Sequence, residues 1–252
     1  MTEIIMVGCN GKMGQVISGL VKLDESVKIV AGVDVFDDGR NDYPVFRNIE
    51  ECTISADAVI DFSNPKGLDL LLKVGTTRNL PLVLCTTGYS EEQVEQIKEA
   101  SKKVAILRSA NMSLGVNTLL KLLQTAAKVL AEADFDIEIV EKHHNQKIDA
   151  PSGTALALAD AINEALNHEY EYKYDRASVR EQRDKKEIGI MAVRGGNIVG
   201  EHEVIFAGTD EVIEFKHTAY SKAIFAKGAI SAAKYLKGKQ AGMYDMSKVI
   251  EG

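Results

Sequence analysis

The sequence predicts an α/β protein with a doubly wound parallel sheet and a second, α+β region whose sheet is mixed and largely antiparallel. Three observations support this prediction. Compact apolar runs alternate with amphipathic stretches through the first hundred residues. A glycine-containing turn follows the first apolar run. After residue 112 the pattern changes to a long helix, a second helix and three strand-like runs with glycine-containing turns between them.

Composition limits the possible classes of protein. The 252 residues allow one large or two modest domains, and 45% hydrophobic with 27% charged residues excludes a disordered or fibrous chain. No apolar run approaches the roughly 18 residues that span a bilayer, and no signal peptide is recognisable. The net charge of −7 disfavours nucleic acid as a partner. Cys9, Cys52 and Cys85 are far apart, which predicts reduced thiols in a cytoplasmic protein without a membrane partner.

The first domain is predicted to contain five strands with helices between them. The strands are expected at residues 3–8, 28–34, 58–63, 80–86 and 104–108. One helix is expected at 12–23, where apolar residues recur at helical spacing. Another is expected to begin at Ser90, which forms a capping box with Gln93. Such β-α-β-α alternation predicts parallel strand pairing.

The second domain is predicted to cover residues 113–221. Helices are expected at 113–131 and 153–167, and three strand-like runs between 188 and 217 are expected to pair antiparallel. The charged stretch 171–187 is expected to be a solvated loop. We expect the strands to leave an apolar face that is buried against another subunit. A last helix at 221–237 could return to the first domain, which would then comprise residues 1–112 and 222–252.

A phosphate-binding turn is predicted directly after the first strand. Gly8, Gly11 and Gly14 would let the backbone turn sharply and present N–H groups of a helix N-terminus to a pyrophosphate. Asp34 ends the second strand, where an acid accepts hydrogen bonds from the adenosine ribose. Val35 follows it instead of an arginine, so we expect NADH to serve at least as well as NADPH. The alternative is a tight turn in a sheet that binds no ligand.

Two further strand ends are expected along the same crevice. Residues 85–88 (CTTG) and 109–112 (SANM) could hold the nicotinamide amide and ribose. Ordinary turn chemistry is the alternative explanation for both segments.

The most concentrated chemistry lies in residues 138–156. His143, His144 and Lys147 fall within five positions at the end of a predicted strand. Both histidines can face one ligand only if the strand ends there and the chain turns. Ser152 is then a predicted N-cap, so the N–H groups of Gly153 and Thr154 lack intrahelical partners and, with Lys147, favour a substrate carboxylate.

Other interpretations of these residues remain open. A zinc site lacks a recognisable third ligand, so no metal is predicted. Cys85 could be a nucleophile, and the histidines could be solvated side chains beside a capped helix. We expect structural roles for His202 and His217.

The run E-x-H-H-x-x-K-x-D-A-P-S-G-T-A, from Glu141 to Ala155, resembles the signature of the bacterial 4-hydroxy-tetrahydrodipicolinate reductases, also called dihydrodipicolinate reductases, of lysine and diaminopimelate biosynthesis. The resemblance extends along nearly the whole chain. It includes VIDFSNP (59–65), CTTG (85–88), SANMSLGVN (109–117) and AVRGGNIVGEHEVIFAG (192–208).

The resemblance implies a Rossmann-like N-terminal domain, a C-terminal α+β domain whose mixed sheet builds a homotetramer, and a hinge between the domains. It implies NAD(P)H-dependent reduction of 4-hydroxy-tetrahydrodipicolinate, via dihydrodipicolinate, to tetrahydrodipicolinate, with hydride passing from the nicotinamide to C4. Because cofactor and substrate groups then lie on different domains, we expect domain closure when both ligands bind.

The resemblance also assigns residues. It implies that His143 is a proton donor, that Lys147 is a second one, and that His144, Gly153 and Thr154 bind the substrate. The cofactor contacts that it implies are Gly8, Cys9, Asn10, Gly11, Lys12, Met13, Asp34, Cys85, Thr86, Thr87, Ser109, Ala110, Asn111 and Met112.

Two residues depart from the usual family pattern. Members commonly carry glycine at the position of Cys85, and many carry arginine at the position of Val35. Two other classes of protein remain possible, an aspartate or homoserine dehydrogenase type of oxidoreductase and a non-catalytic dinucleotide sensor.

Overall fold

A computed structural model describes residues 1–177 and 180–252. This part of the chain divides into two compact units, one formed by Met1–Leu114 with Ala223–Gly252 and the other by Gly115–Lys222. The predicted domain boundaries differ from these divisions by at most two residues. Within the described residues, no helix is both long enough and apolar enough to cross a membrane.

The first unit is built on a seven-stranded sheet. Its strands are β1 (Thr2–Val7), β2 (Val27–Val33), β3 (Val45–Phe46), β4 (Ala58–Asp61), β5 (Leu82–Leu84), β6 (Ala105–Arg108) and β12 (Gly242–Tyr244). Their order is β12-β6-β5-β4-β1-β2-β3, and every neighbouring pair is parallel. The doubly wound fold is therefore confirmed. The connections between strands reverse direction at β1, so the switch point of the sheet lies between β1 and β4. The short strands β3 and β12 were not predicted.

Helices cover both faces of this sheet. They are α1 (Lys12–Val21), α2 (Leu68–Arg78), α3 (Glu91–Ser101), α6 (Ala223–Leu236) and α7 (Met246–Glu251), with a 3₁₀ turn at Pro65–Gly67. The predicted capping box is present at the start of α3, where Ser90 and Gln93 exchange hydrogen bonds. One apolar core packs α1, α6 and α7 on one face, and a second packs α2 and α3 on the other. Strands buried on both faces explain the continuous apolar runs in the sequence.

The second unit has a five-stranded mixed sheet and two helices. The strands are β7 (Asp136–His143), β8 (Glu171–Lys173), β9 (Glu187–Arg194), β10 (Gly200–Ala207) and β11 (Val212–Ala219), and the helices are α4 (Leu114–Glu132) and α5 (Gly153–Ala165). The strand order is β11-β10-β7-β9-β8. Strand β10 pairs antiparallel with both β11 and β7.

Two details of the predicted second domain are wrong. Strand β9 does not pair with β10, because β7 lies between them and pairs with β9 in parallel. Glu171–Lys173 is not a loop but the edge strand β8, because Tyr172 packs on the apolar core and the strand pairs with β9. Ser178 and Val179, which belong to the same predicted loop, lie outside the described residues.

The apolar face of this sheet is covered within the unit. Strand residues such as Ile139, Ile190 and Phe206 are fully buried against α4 and α5. Side chains alternate along a strand, so the other face carries charged groups such as Lys142 and Glu201, which form an ion pair. The two helices therefore cover the apolar face on this side, and burial of the sheet against another subunit stays a prediction.

Two glycines in helices of the first unit provide a matched test of packing. A Cβ on Gly228 of α6 would lie 1.6 Å from the carbonyl oxygen of Met112, whereas a Cβ on Gly19 of α1 would meet nothing within 4 Å. We expect Gly228→Ala to lower the free energy of unfolding by about 2 kcal/mol or more, because overpacking forces backbone shifts. Gly19→Ala should raise it by roughly 0.5 to 1 kcal/mol, because glycine is a poor helix residue.

Urea unfolding followed by circular dichroism measures both effects. Equal stabilities for the two variants would contradict the close packing of α6 against Met112.

Candidate active site

The turn after β1 needs glycine at two positions. Gly8 has a positive φ of 79°, and a Cβ there would lie 2.6 Å from the carbonyl oxygen of Phe62. A Cβ on Gly14 would lie 2.3 Å from the carbonyl oxygen of Gly8. Gly11 is the N-cap of α1 and provides no capping side chain. The first N–H groups of α1 have no partner inside the helix, so they can bind an anion such as a pyrophosphate.

Asp34 stands beside this turn. Its carboxylate accepts a hydrogen bond of 2.9 Å from the backbone N–H of Asn10. Gly8, Gly11 and Asp34 together line a cleft of about 350 Å³ with apolar walls that include Phe62 and Leu71. A cleft of this size with an anion site and an acid suits the adenosine half of a dinucleotide.

Cys9 and Met112 have buried side chains. Both are packed in the core that holds α1 and α6. Burial and the nearby Asp34 raise the pKa of Cys9 to about 11, so its thiol stays protonated. These two residues can offer a cofactor only their backbone groups. Met13 is partly buried against the same core, and Lys12 is exposed.

A buried carboxylate that the sequence analysis missed orders the neighbouring strand ends. Asp61 ends β4 and accepts hydrogen bonds from the hydroxyls of Ser63 at 2.5 Å and Thr86 at 2.7 Å. Burial raises the pKa of Asp61 despite these bonds. The Thr86 hydroxyl is therefore held toward Asp61, while Thr87 is exposed. Burial and Asp61 also raise the pKa of the Cys85 thiol well above its ordinary value, which disfavours Cys85 as a nucleophile.

The segment after β6 continues the same edge of the sheet, because the carboxyl ends of parallel strands lie side by side. Ala110 is exposed, and Ser109 and Asn111 are half-buried. The Asn111 side chain accepts a hydrogen bond of 2.8 Å from the N–H of Ser113. The predicted cofactor residues thus all lie along one edge of the first unit's sheet.

In the second unit, β7 ends at His143 and the chain then turns, as the sequence analysis required. The N–H of Lys147 donates to the carbonyl of His144 at 3.2 Å, and the N–H of Gly195 donates to the carbonyl of His143. His144 and Lys147 are both half-buried in this turn.

Glu141, two residues before His143 on the same face of β7, is the centre of the site. Its carboxylate is fully buried and accepts two hydrogen bonds from Arg194, at 2.7 and 2.6 Å. It also accepts one from the backbone N–H of Ser152 at 2.9 Å and contacts His143 Nδ1 at 2.6 Å. Burial alone would raise the pKa of Glu141, but the bonds from Arg194, His143 and Ser152 outweigh it and lower the pKa.

An ionised carboxylate can only accept hydrogen bonds, so Nδ1 of His143 must carry a proton. The other ring nitrogen, Nε2, is then the one that could exchange a proton with a ligand. A Cβ on Gly200 would lie 3.0 Å from Nε2, so glycine leaves room beside it. Neither Glu141 nor Arg194 was predicted to be functional. The spacing of Glu141 from His143 was a usable signal, whereas Arg194 is 53 residues away in the chain.

The start of α5 has the predicted form. Ser152 is the N-cap and accepts a hydrogen bond of 3.2 Å from the N–H of Ala155. Gly153 is exposed and a Cβ there would meet nothing within 4 Å, so packing does not require glycine at this position. Thr154 is half-buried in the first turn.

Lys147, one of the groups predicted to bind a substrate carboxylate, pairs with a carboxylate of the chain itself. Its Nζ lies 2.8 Å from the Asp149 carboxylate. This hydrogen bond from Lys147 lowers the pKa of Asp149. Lys147 is therefore placed to bind a carboxylate beside the start of α5.

His202 lies beside His143 in the interior. Its Nε2 is 2.9 Å from the Ser152 hydroxyl, and its ring packs edge-on against His143. Burial and the proximity of His143 lower the pKa of His202 to about 4, so it is neutral at physiological pH. Within the described residues, no group of three or more His, Cys, Asp or Glu side chains could hold a metal ion.

The low pKa of His202 predicts a pH dependence of stability. In the unfolded chain His202 takes up a proton near pH 6.5, whereas in the folded protein it does so only near pH 4. Stability should therefore fall as the pH drops from 7 to 5, with a contribution from His202 of about 2 kcal/mol.

Replacing His202 by Asn should remove this part of the pH dependence, while His168→Asn, at an exposed position, should keep it. Urea unfolding at pH 7 and pH 5 measures the difference. The same loss of stability in wild type and His202→Asn would refute the buried neutral histidine.

Comparison with known proteins agrees with this geometry. Residues 2–112 match the family model described as dihydrodipicolinate reductase, N-terminus, and residues 115–250 match the one described as dihydrodipicolinate reductase, C-terminus. A 4-hydroxy-tetrahydrodipicolinate reductase of Clostridium novyi is 52% identical over 251 residues, which cover 100% of this chain and 99% of the relative.

Two solved structures show how specific the likeness is. A dipicolinate-bound dihydrodipicolinate reductase from Paenisporosarcina sp. TG-14 is 26% identical with a TM-score of 0.83, covering 98% of this chain and 99% of that one. An aspartate dehydrogenase from Thermotoga maritima is 12% identical with a TM-score of 0.51, covering 95% and 98%, and shares the fold alone. The full-length match to both halves of one family shows that the chain belongs to the dihydrodipicolinate reductases.

Proposed function

We propose that the protein reduces 4-hydroxy-tetrahydrodipicolinate, via dihydrodipicolinate, to tetrahydrodipicolinate in lysine and diaminopimelate biosynthesis, with NADH or NADPH as the reductant. The observation that carries this proposal is the His143 imidazole, oriented by the buried Glu141 carboxylate in the same unit as the start of α5, which Ser152 caps. Family membership supports the same reaction.

The first unit supplies the residues for the cofactor. The N–H groups at the start of α1 would bind the pyrophosphate, and Asp34 would accept hydrogen bonds from the adenosine ribose. A bound reduced nicotinamide supplies the hydride. The segments at Cys85–Thr87 and Ser109–Met112 would hold the nicotinamide end, and we propose that NADH serves at least as well as NADPH.

The second unit supplies the residues for a dicarboxylate. Lys147 and the N–H groups of Gly153 and Thr154 would bind one carboxylate, and Lys147 already pairs with the Asp149 carboxylate. The substrate must displace Asp149 from Lys147. Asp149 is exposed, so breaking this ion pair costs little free energy. His144 would contact the ring or its second carboxylate.

Proton transfer is assigned to His143. Addition of hydride at C4 breaks the ring double bond and leaves an electron pair on the ring, and a proton from Nε2 of His143 completes the reduction. The Glu141 carboxylate stabilises positive charge on the imidazole while Nδ1 remains its donor. Lys147 lowers the energy of the developing negative charge and is the second group that could donate the one proton that the reduction needs.

We also propose that the protein is a cytoplasmic homotetramer whose copies meet through the sheet of the second unit. The face of that sheet opposite α4 and α5 has half-buried apolar side chains such as Val140 and Ile205 among paired charges. Light scattering on the purified protein gives the assembly mass directly.

Exchange of His143 for asparagine tests the proton transfer. Asparagine can still donate to Glu141 but cannot transfer a proton at neutral pH, so kcat should fall by about 10² to 10⁴ with a smaller change in KM. The assay follows oxidation of NADH with freshly generated 4-hydroxy-tetrahydrodipicolinate. The matched control is His168→Asn, an exposed histidine outside the site, which should keep wild-type turnover.

Wild-type turnover in His143→Asn would exclude His143 as the proton donor. No NADH or NADPH oxidation by the wild-type protein with this substrate would exclude the proposed reaction itself.

A further inference from the structure

Arg47 lies next to Asp34 although it follows 13 positions later in the chain. Strand β3 pairs in parallel with β2, matching Gly32 with Val45 and Val33 with Phe46. Asp34 and Arg47 are the next residues after these pairs, and the N–H of Asp34 donates to the carbonyl of Phe46 at 2.9 Å. Neighbouring parallel strands lie about 4.8 Å apart. The acid and the guanidinium therefore leave the sheet side by side.

Both residues line the same cleft. Its walls include Gly8 and Gly11 of the phosphate-binding turn together with Asp34, Arg47 and Asn48. A ligand that places its pyrophosphate at the turn and its ribose at Asp34 therefore also meets Arg47. Val35, the residue directly after the acid, is 86% exposed and offers no charge.

The Arg47 guanidinium has no partner in the part of the chain that the structure describes. Across residues 1–177 and 180–252 no hydrogen bond or ion pair to its side chain is present, whereas Arg40 pairs with Asp38 and Arg78 donates to the carbonyl of Cys52. Arg47 is exposed and carries its charge in a chain of net charge −7. An unpaired arginine in a ligand cleft suits a phosphate, because its planar donors match phosphate oxygens.

The Asp34 carboxylate already has part of its hydrogen-bonding capacity filled. One of its oxygens accepts the N–H of Asn10, which draws negative charge toward the turn. A phosphate on the ribose 2′-oxygen would meet one acid and one unpaired cation, so the repulsion from Asp34 is offset.

We propose that Arg47 binds the 2′-phosphate of NADPH and thereby allows this protein to use both reduced nicotinamide cofactors. The proposal rests on the dinucleotide site of the proposed function. Val35 carries no positive charge, and Arg47 from the neighbouring strand provides one in its place. NADPH should then have a kcat/KM within tenfold of that for NADH.

Calorimetric titration of the whole protein with 2′,5′-ADP and with ADP tests this assignment without catalysis. Both nucleotides should bind the wild-type protein. Arg47→Gln should weaken binding of 2′,5′-ADP by tenfold or more and change binding of ADP by less than threefold. The matched control is Lys73→Gln, which removes one positive charge from the exposed ion pair with Glu50 and should leave both affinities unchanged.

The outcomes separate the two levels of the proposal. The role of Arg47 would be overturned if Arg47→Gln lost affinity equally for both nucleotides or lost it for neither. It would also be overturned if the wild-type protein bound ADP but not 2′,5′-ADP. A wild-type protein that binds neither nucleotide would instead remove the dinucleotide site on which the proposed function depends. An unfolding temperature of Arg47→Gln equal to that of the wild-type protein would show that the variant is folded.

Discussion

The candidate site of the second unit depends on one buried carboxylate. A carboxylate without solvent exposure is costly unless hydrogen bonds and an opposite charge compensate it. Glu141 meets this requirement with two bonds from Arg194, one from the N–H of Ser152 and one from His143. These partners belong to β9, to the start of α5 and to β7, so one side chain joins three elements. The same bonds that make its burial tolerable also orient the imidazole.

Local backbone groups, more than overall charge, make this acidic chain suitable for anionic ligands. Each unit uses the start of a helix after a strand, α1 after β1 and α5 after the turn that follows β7. Each then adds a nearby cation, Arg47 in one unit and Lys147 in the other. Both helix starts are short of intrahelical partners by geometry, so they attract anions regardless of the net charge.

The features that were predictable from sequence are local ones. The glycine turn, the Ser152 cap, the end of β7 at His143 and the position of Asp34 follow from φ preferences, capping and strand periodicity over a few residues. The pairing of Arg194 with Glu141 and the position of Arg47 beside Asp34 were not predictable, because each depends on the register of two parallel strands. The incorrect β9–β10 hairpin has the same origin, since turn residues do not reveal that β7 lies between them. The specific substrate follows from family resemblance, because the residues alone indicate only an anionic organic molecule.

Nitrogen NMR of the protein labelled at histidine tests the central claim most directly, because it reports which ring nitrogen of His143 carries a proton. The arrangement around Glu141 predicts a proton on Nδ1, with the downfield signal expected of a short bond to a carboxylate, and loss of that signal in Glu141→Gln. A neutral His143 ring with its proton on Nε2 in the wild-type protein would contradict the account.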